Sequence, residues 1–393
     1  MKMDKNFFWK GLTRNILIVG IISLFTDLSS QMVFPLIPLF LVTLGAGAWV
    51  VGLVEGAAET TASLLKVFSG YWSDKIKKRK PFILTGYGLS SITKPLFAFA
   101  YSWPFVLIVR IVERVGKGIR NVPRDAIIAE SCEASVRGKA YGFHRAMDGI
   151  GSILGAVIAF ILLPVLGFRN IFLVAFIPAV VAVLFILFIK EKRAMAETKK
   201  KETMSLTVSF KKLPWNLKLF ITVATIFTLG HFGYAFLLLK ARNIGLANDT
   251  AIFLYILFYI VYTLFIIPAG IFSDKIGRKP ILMIGYILFA ITSLGLLFTS
   301  QMYMLLAMFI LYGVFYAMID GVQRAFVVDL APPDLKGTAL GTFYTAIGLV
   351  ALPGGVIAGT IWDKISPEGT FSYALILTIS ALLLFMFVKN NRE

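Results

Sequence analysis

Long apolar runs are the feature that most restricts how this chain can fold. Almost every run reaches about 20 residues, the length at which a helix crosses a hydrocarbon core of about 30 Å. Hydrophobic residues make up 58% of the 393 residues and charged residues 15%, against about 45–50% and about 25% in a soluble globular chain. In lipid each segment must satisfy its own backbone polar groups, and the runs are too long for barrel strands. The runs therefore predict membrane-spanning α-helices.

The apolar runs number twelve, and the longest polar stretch divides them into two sets of six. We therefore predict an N-terminal six-helix bundle at 1–190, a cytoplasmic linker at 191–215 and a C-terminal six-helix bundle at 216–393. The approximate spans are 15–43, 49–73, 81–100, 103–124, 138–166, 168–190, 216–239, 250–273, 280–299, 302–324, 337–362 and 370–388.

The distribution of the basic residues predicts the orientation of these spans. With the N-terminus in the cytoplasm, about 29 of the 39 Lys and Arg residues lie in cytoplasmic segments, about 4 in the opposite loops and about 6 within spans. This is the asymmetry of the positive-inside rule. Both termini are therefore predicted to be cytoplasmic, in the plasma membrane (cell inner membrane) of a prokaryote. The net charge of +18 then reflects orientation and contact with lipid headgroups, and no nucleic acid partner is expected.

Motifs for other classes of protein are missing from the sequence. The single cysteine, Cys132, permits neither a disulfide framework nor a cysteine-based metal site. We find no HExxH motif, no nucleophile elbow and no Walker A loop. The sequence therefore predicts that the protein is not an enzyme, has no cofactor or metal and does not use ATP directly. A duplicated bundle with charges near the midplane favours a monomer that works by alternating access over a channel.

A repeated segment identifies the duplication. GYWSDKIKKRKP at 70–81 returns about 200 residues later as GIFSDKIGRKP at 270–280. Glu130 and Asp329, 199 residues apart, each precede a basic-Gly pair by seven residues. Two independent motifs with the same offset indicate that one membrane half was duplicated.

Twelve spans in two halves, with G-x-x-x-D-(R/K)-x-G-(R/K)-(R/K) after spans 2 and 8, resemble the major facilitator superfamily. The resemblance covers the whole chain and implies an all-α fold in which two six-helix bundles enclose a central cavity. In the first copy Lys77 stands where the family usually has a second glycine. The resemblance implies that both loops act as a gating latch, with these residues: Gly70, Asp74, Lys75 and Arg79 in the first copy, and Gly270, Asp274, Lys275 and Arg278 in the second. The alternative is that their charges only fix topology.

Charges within the spans indicate where the chemistry lies, because each would cost a few kcal/mol or more facing lipid. Asp27, Glu59 and Arg114 lie about 10 to 12 residues into spans 1, 2 and 4, so we expect them to meet near the midplane. Helical spacing places further charges on the same polar faces of spans 2, 4 and 5, and these complete the predicted site for proton coupling or substrate: Glu55, Arg110, Glu113 and Asp148. The alternative is that these charges neutralise one another in fixed pairs.

A carboxylate beside an arginine suits proton coupling, because burial favours the protonated form and the cation favours the charged form. Asp27 followed by Pro35 and Pro38 resembles the first-helix motif of drug and proton antiporters, and RVGKG at 114–118 resembles a fourth-helix motif associated with proton transfer. GIGSILG at 149–155 has the glycines of the antiporter fifth-helix motif without its proline.

The resulting prediction is a secondary active transporter for proton-coupled efflux of a small organic compound. Residues that could line its substrate cavity are Lys94, Arg145, His231, Tyr234, Asp320 and Arg324. The alternatives are transport of an anionic metabolite or a siderophore-like metal chelate in either direction, or a receptor or scaffold that does not transport. His231 could instead be a packing residue.

Overall fold

The computed structural model describes residues 13–76, 78–133, 136–191, 213–333 and 335–389, with the side chains of Tyr71, Asp74 and Arg137 outside that description. Within these ranges the chain is helical and has no strand, as the apolar runs predict. Most of the predicted linker at 191–215 lies outside the described residues.

Fifteen helices occur in the described part of the chain. Their bounds are α1 Arg14–Val33, α2 Leu36–Thr43, α3 Ala48–Ile76, α4 Lys80–Ala98, α5 Trp103–Glu130, α6 Arg137–Val174, α7 Phe176–Ile186, α8 Trp215–Gly230, α9 Tyr234–Asn243, α10 Asn248–Ile276, α11 Arg278–Phe298, α12 Met302–Ile319, α13 Val322–Leu330, α14 Lys336–Lys364 and α15 Pro367–Met386.

Four predicted spans are each divided between two helices, and the sixth is divided at Ala175, between α6 and α7. The first breaks between α1 and α2 at Pro35, which has no backbone N–H for the i to i−4 bond. The seventh breaks between α8 and α9, and the tenth between α12 and α13, where Gly321 has φ +90°. A further break lies within α6 at Gly167, with φ +70°, between the predicted fifth and sixth spans.

Eight helical segments in the described residues are long and apolar enough to cross a membrane. They cover nine of the twelve predicted spans, because a single segment of 49 residues, Gly138–Ile186, contains the fifth and sixth. The second, third and fourth predicted spans correspond to α3, α4 and α5, which are not among the eight. Their polar and charged side chains lower the hydropathy on which such an assignment depends.

Residue contacts divide the helices into two compact units, which do not follow the predicted boundaries at 190 and 216. Unit one comprises Met1–Phe34, Phe68–Ala100 and Val112–Lys199. Unit two comprises Pro35–Val67, Tyr101–Ile111 and Lys200–Glu393. The acids of α3 before Val67 therefore belong to the same unit as the C-terminal helices.

The same helix packing occurs within each unit. In unit one α1 packs against α6 and α7, and in unit two α8 packs against α14 and α15. Glycine permits both crossings: a methyl group on Gly155 would lie 3.0 Å from the Cα of Leu28, and on Gly354 it would lie 2.7 Å from the carbonyl oxygen of Leu229. Small residues at such crossings let helix backbones approach closely in membranes. The second pair follows the first by 199 and 201 residues.

An asparagine near the start of the first helix of each half binds the chain just after that half's last helix. Asn15 Nδ2 donates to the Lys190 carbonyl at 2.7 Å, and the Lys190 N–H donates to Asn15 Oδ1 at 3.1 Å. In unit two Asn216 makes the same two bonds with Lys389, at 2.6 and 2.7 Å. These amide bridges join the first and last helices of each half.

Candidate functional site

Asp27 on α1 lies within a cluster of charged side chains in unit one. Its carboxylate is half-buried and interacts electrostatically with four groups: Asp148, Lys117, Arg120 and Arg124. α5 supplies the three cations and α6 supplies the second carboxylate. Asp27, Asp148 and the three cations of α5 therefore form one charged cluster within this unit.

Lys94 on α4 belongs to the same polar region. Its side chain is buried, and its Nζ atom donates to Ser29 Oγ at 2.7 Å and to Ser30 Oγ at 3.2 Å. It also interacts electrostatically with Glu113 and Asp27. These contacts reduce the large cost of burying an ammonium group.

Arg114, which the sequence places near the midplane, contacts its neighbour on α5. Its Nε atom lies 3.5 Å from Glu113 Oε2, and its guanidinium lies 4.9 Å from the ring centroid of Phe34. Glu59 belongs to unit two. The predicted meeting of Asp27, Glu59 and Arg114 therefore stays a prediction.

His144 on α6 is a member of the unit-one cluster that the sequence analysis missed. Its side chain is buried; Nε2 lies 2.7 Å from Ser23 Oγ and Nδ1 lies 3.4 Å from Asp148 Oδ2. The signal was present, since His144 and Asp148 are one helical turn apart on the predicted polar face of the fifth span. Arg145, on the same helix, is more exposed and its Nη1 lies 4.0 Å from Asp148 Oδ2.

Unit two contains a second polar cluster, based on α3. The Nη2 atom of Arg110, which is fully buried, lies 3.1 and 3.2 Å from the two carboxylate oxygens of Glu55. Glu59, one turn further along α3, is exposed and accepts a hydrogen bond from Ser63 Oγ at 3.1 Å. Glu55 and Arg110 thus form an ion pair within this unit.

Histidine and tyrosine side chains of the C-terminal helices lie close to these acids. His231 interacts electrostatically with Glu59, and its Nε2 atom lies 3.2 Å from the Tyr312 hydroxyl. Its ring is also stacked with the rings of Phe227 and Tyr312. His231 is therefore both packed among aromatic rings and within range of an acid.

Tyrosine rings continue this aromatic surface, which we call the tyrosine cluster: Tyr234, Tyr255, Tyr259, Tyr262, Tyr312 and Tyr316. Neighbouring rings are 5.0 to 6.2 Å apart between centroids. At its edge Asp320 accepts a hydrogen bond from Tyr262 at 2.8 Å and forms an ion pair with Arg324 at 2.7 Å. Of the predicted cavity residues, unit two thus gathers His231, Tyr234, Asp320 and Arg324, whereas Lys94 and Arg145 belong to unit one.

The two repeated loops make matching contacts within their own units. Arg79 donates to Ser73 Oγ at 2.8 Å and lies 3.4 Å from Glu130. Arg278 donates to Ser273 Oγ at 2.7 Å and lies 3.2 Å from Asp329. Each arginine therefore joins the end of one helix to an acid 51 residues further along the chain.

The remaining loop residues lie at the ends of α3 and α10. Asp274 pairs with Arg278 of its own loop at 2.5 Å, and the side chain of Asp74 lies outside what the structure describes. Ser73 and Ser273 each donate to the backbone carbonyl of the glycine three residues earlier, Gly70 or Gly270. Lys75 and Lys275 occupy the last turns of their helices, where a cation interacts favourably with the helix dipole.

No group of three or more His, Cys, Asp or Glu side chains suited to a metal ion occurs in the described parts of the chain.

Comparisons with known proteins agree with this architecture. The family model described as Major Facilitator Superfamily matches residues 19–241 and 219–393. An uncharacterised MFS-type transporter of Methanocaldococcus jannaschii is 42% identical over 387 residues, which is 96% of each chain. A cis,cis-muconate transport protein of Acinetobacter baylyi is 25% identical over 71% of this chain and 70% of its own.

A solved structure of the nucleoside transporter NupG, in a mutant form, has the same fold. It superposes with a TM-score of 0.79 at 17% sequence identity, covering 95% of this chain and 100% of that one. With a family model that matches almost the entire length, this chain belongs to the major facilitator superfamily.

Proposed function

We propose that this protein is a secondary active transporter that works by alternating access and couples proton entry to the export of a small organic compound. The observation that carries the proposal is the position of Asp27, half-buried between three cations of α5 and the carboxylate of Asp148. We propose twelve spans with both termini in the cytoplasm, in the plasma membrane of a prokaryotic cell, and a monomer as the working unit.

The charge arrangement around Asp27 explains how a proton could be coupled to movement. Asp27 interacts electrostatically with Asp148, Lys117, Arg120 and Arg124, and the protonation of a carboxyl group depends on its burial and on the charges beside it. A small displacement of α5 relative to α1 would change this balance and release or capture a proton. Ionisable groups within spans are commonly part of such proton pathways.

We assign gating to the two repeated loops. Their arginines join α3 to Glu130 and α10 to Asp329 within each unit, and we propose that these contacts rearrange when the cytoplasmic side opens. Exposed ion pairs contribute about 0–1 kcal/mol each, which suits a contact that must break in every cycle.

The tyrosine cluster and its neighbouring acids suit contact with an organic substrate. Tyrosine combines a ring face for stacking with a hydroxyl for hydrogen bonding. Ligand sites are mostly apolar and aromatic with a few polar groups, and His231, Glu59 and Asp320 supply such groups beside the rings. Export is supported by the resemblance of the first-helix motif, Asp27 with Pro35 and Pro38, to that of drug and proton antiporters.

A second candidate is transport of an anionic metabolite or metal chelate. Lys94 and Arg120 are both buried in unit one, close to Lys117 and Arg124. A carboxylate or phosphate ligand could lower the cost of burying so many cations. The Acinetobacter relative, named as a muconate transport protein, is in keeping with an anion.

The test uses purified protein in liposomes under an imposed pH gradient. Ethidium serves as the organic-cation probe and cis,cis-muconate as the anion probe. Wild-type protein should move ethidium against its gradient when protons flow the other way; movement of muconate alone would favour the second candidate. No movement of either probe, or of a wider compound panel, under any gradient would favour a receptor or scaffold.

Asp27→Asn should abolish proton-driven movement while expression and melting temperature are retained, because Asn cannot carry the proton. The matched control is Thr228→Val, since Thr228 occupies the corresponding position of α8, 201 residues later. The coupling assignment fails if Asp27→Asn transports with wild-type rate and pH dependence.

A further inference from the structure

His144 in unit one is buried beside charged side chains. A residue that only fills space would not need such neighbours. His144 has 2% of its surface exposed, and both ring nitrogens have partners. Nε2 lies 2.7 Å from Ser23 Oγ on α1, and Nδ1 lies 3.4 Å from Asp148 Oδ2 on α6. The ring thus connects the first helix to the carboxylate that interacts with Asp27.

The helical spacing arranges these groups in two layers. Ser23 and Asp27 are four residues apart on α1, and His144 and Asp148 are four residues apart on α6, so each pair is separated by about 6 Å along its helix. α1 and α6 pack against each other in unit one. The layer of Ser23 and His144 lies nearer the N-terminal ends of both helices, which we propose to be cytoplasmic, than the layer of Asp27 and Asp148.

We propose that His144 is a second proton-holding residue of this protein, which shares a proton with the Asp27 and Asp148 carboxylates. This inference rests on the proposed function, because a transporter that couples to protons needs a route from the midplane acid to the cytoplasmic side.

The transfer conserves both protons and charge. Neutral His144, with its proton on Nε2 donated to Ser23, accepts a proton at Nδ1 from the carboxylic acid of Asp148. The products are an imidazolium and a carboxylate, which attract each other. Asp148 Oδ1 is buried and makes no hydrogen bond within the described residues, so this oxygen is not held by a donor other than the proposed proton.

Burial and the charged groups around His144 together set how readily it takes the proton. The carboxylates stabilise the imidazolium and the arginines oppose it. From α5 the nearby groups are Arg124 and Asp125, and from α6 they are Arg145 and Asp148; Asp27 on α1 lies one turn beyond Ser23. Arg124 interacts with Asp27 as well, so one cation acts on both layers.

The sequence offers a direct test, because the chain has two histidines in all, His144 and His231. Full-length protein with isotope-labelled histidine in lipid nanodiscs would give two ring signals by NMR, assigned with His231→Gln. We expect the His144 signal to titrate. Its midpoint should move by about one pH unit in Asp27→Asn and in Asp148→Asn, as coupled sites do.

The His231 signal is the internal control and should respond to neither substitution. A His144 signal that does not titrate between pH 4 and pH 9, or a midpoint that both variants leave unchanged, would overturn the proposal. The titration needs no substrate and no gradient. Its failure is therefore distinct from failure of the proposed function, which the liposome experiment with ethidium and muconate tests.

Discussion

Helices α5 and α12 occupy corresponding places in the two halves but carry opposite kinds of side chain. Glu113 and Lys117 of α5 are followed 199 residues later by Tyr312 and Tyr316 of α12. Glu113 and Lys117 take part in the charged cluster around Asp27 and Lys94, whereas the two tyrosines belong to the tyrosine cluster. A duplicated backbone has therefore been given ionic side chains in one half and aromatic ones in the other.

The same replacement occurs on the helices that pack against the first helix of each half. His144 of α6 corresponds to Phe343 of α14, and Ser23 of α1 corresponds to Ala224 of α8. Phe343 is buried and its ring is stacked with Phe220, with centroids 6.5 Å apart. The comparison indicates that helix crossings are set by the backbone and its glycines, and that the crossing can be filled by a hydrogen-bonded pair or by rings.

The largest effect on stability should come from truncating the buried ring of Phe343 at the crossing of α8 and α14. Phe343→Ala is expected to lower the free energy of unfolding by about 3–5 kcal/mol, because truncating a buried ring removes its packing and leaves a cavity. The measurement is unfolding of the purified protein in detergent.

The control is His144→Ala, which should cost about 1–3 kcal/mol, mainly for the polar partners left unsatisfied. If Phe343→Ala and His144→Ala lowered the free energy of unfolding equally, an aromatic ring and a hydrogen-bonded pair would stabilise this crossing to the same extent.

An intermediate effect is expected where the two halves are alike. Asn15→Ala and Asn216→Ala each remove two hydrogen bonds to the chain after the last helix of their half. Each should therefore cost about 1–3 kcal/mol, at about 0.5–1.5 kcal/mol per bond. Thermal unfolding of the two variants should give similar shifts, and a clear difference between them would break the proposed equivalence of the amide bridges.

The smallest change in stability is expected at the repeated loops. Asp274→Asn should leave the melting temperature nearly unchanged, since Asp274 pairs with Arg278 at an exposed position and exposed ion pairs contribute about 0–1 kcal/mol. Asp74→Asn makes the same change in the first copy of the motif. Both should slow transport without abolishing probe binding, because they weaken the proposed gate and not the substrate site. Transport rates equal to wild type in both variants would favour loops that only fix topology.

The sequence predicted the helical class and the family fold well, because long apolar runs and a repeated loop motif are local features of composition and spacing. Helix breaks were harder to predict: Pro35 explains the first, but α8 ends at Gly230 without a proline. Charge itself obscured α5, whose basic face makes it a poor membrane segment by composition even though it supplies the cations around Asp27.

Partner choice was the least predictable part of the candidate site. The sequence predicts that Arg114 meets Asp27 and Glu59, whereas its described contacts are with Glu113 and Phe34. Glu55 pairs with Arg110, while Glu59 is near His231. Such pairings depend on how separate helices rotate against one another, and the periodicity of one helix does not contain that information. His144 was missed for a related reason, since its partner Ser23 lies 121 residues away.

Cys132 is the single cysteine of this sequence, so it can be labelled selectively. It lies in the connection between α5 and α6, two residues after Glu130, and its partly buried thiol donates to the Ile128 carbonyl at 3.4 Å. A fluorophore or spin label attached there would sit beside the Arg79 contact with no cysteine elsewhere to compete for it. The native sequence thus already contains a single labelling position from which movement of the first loop can be followed in real time.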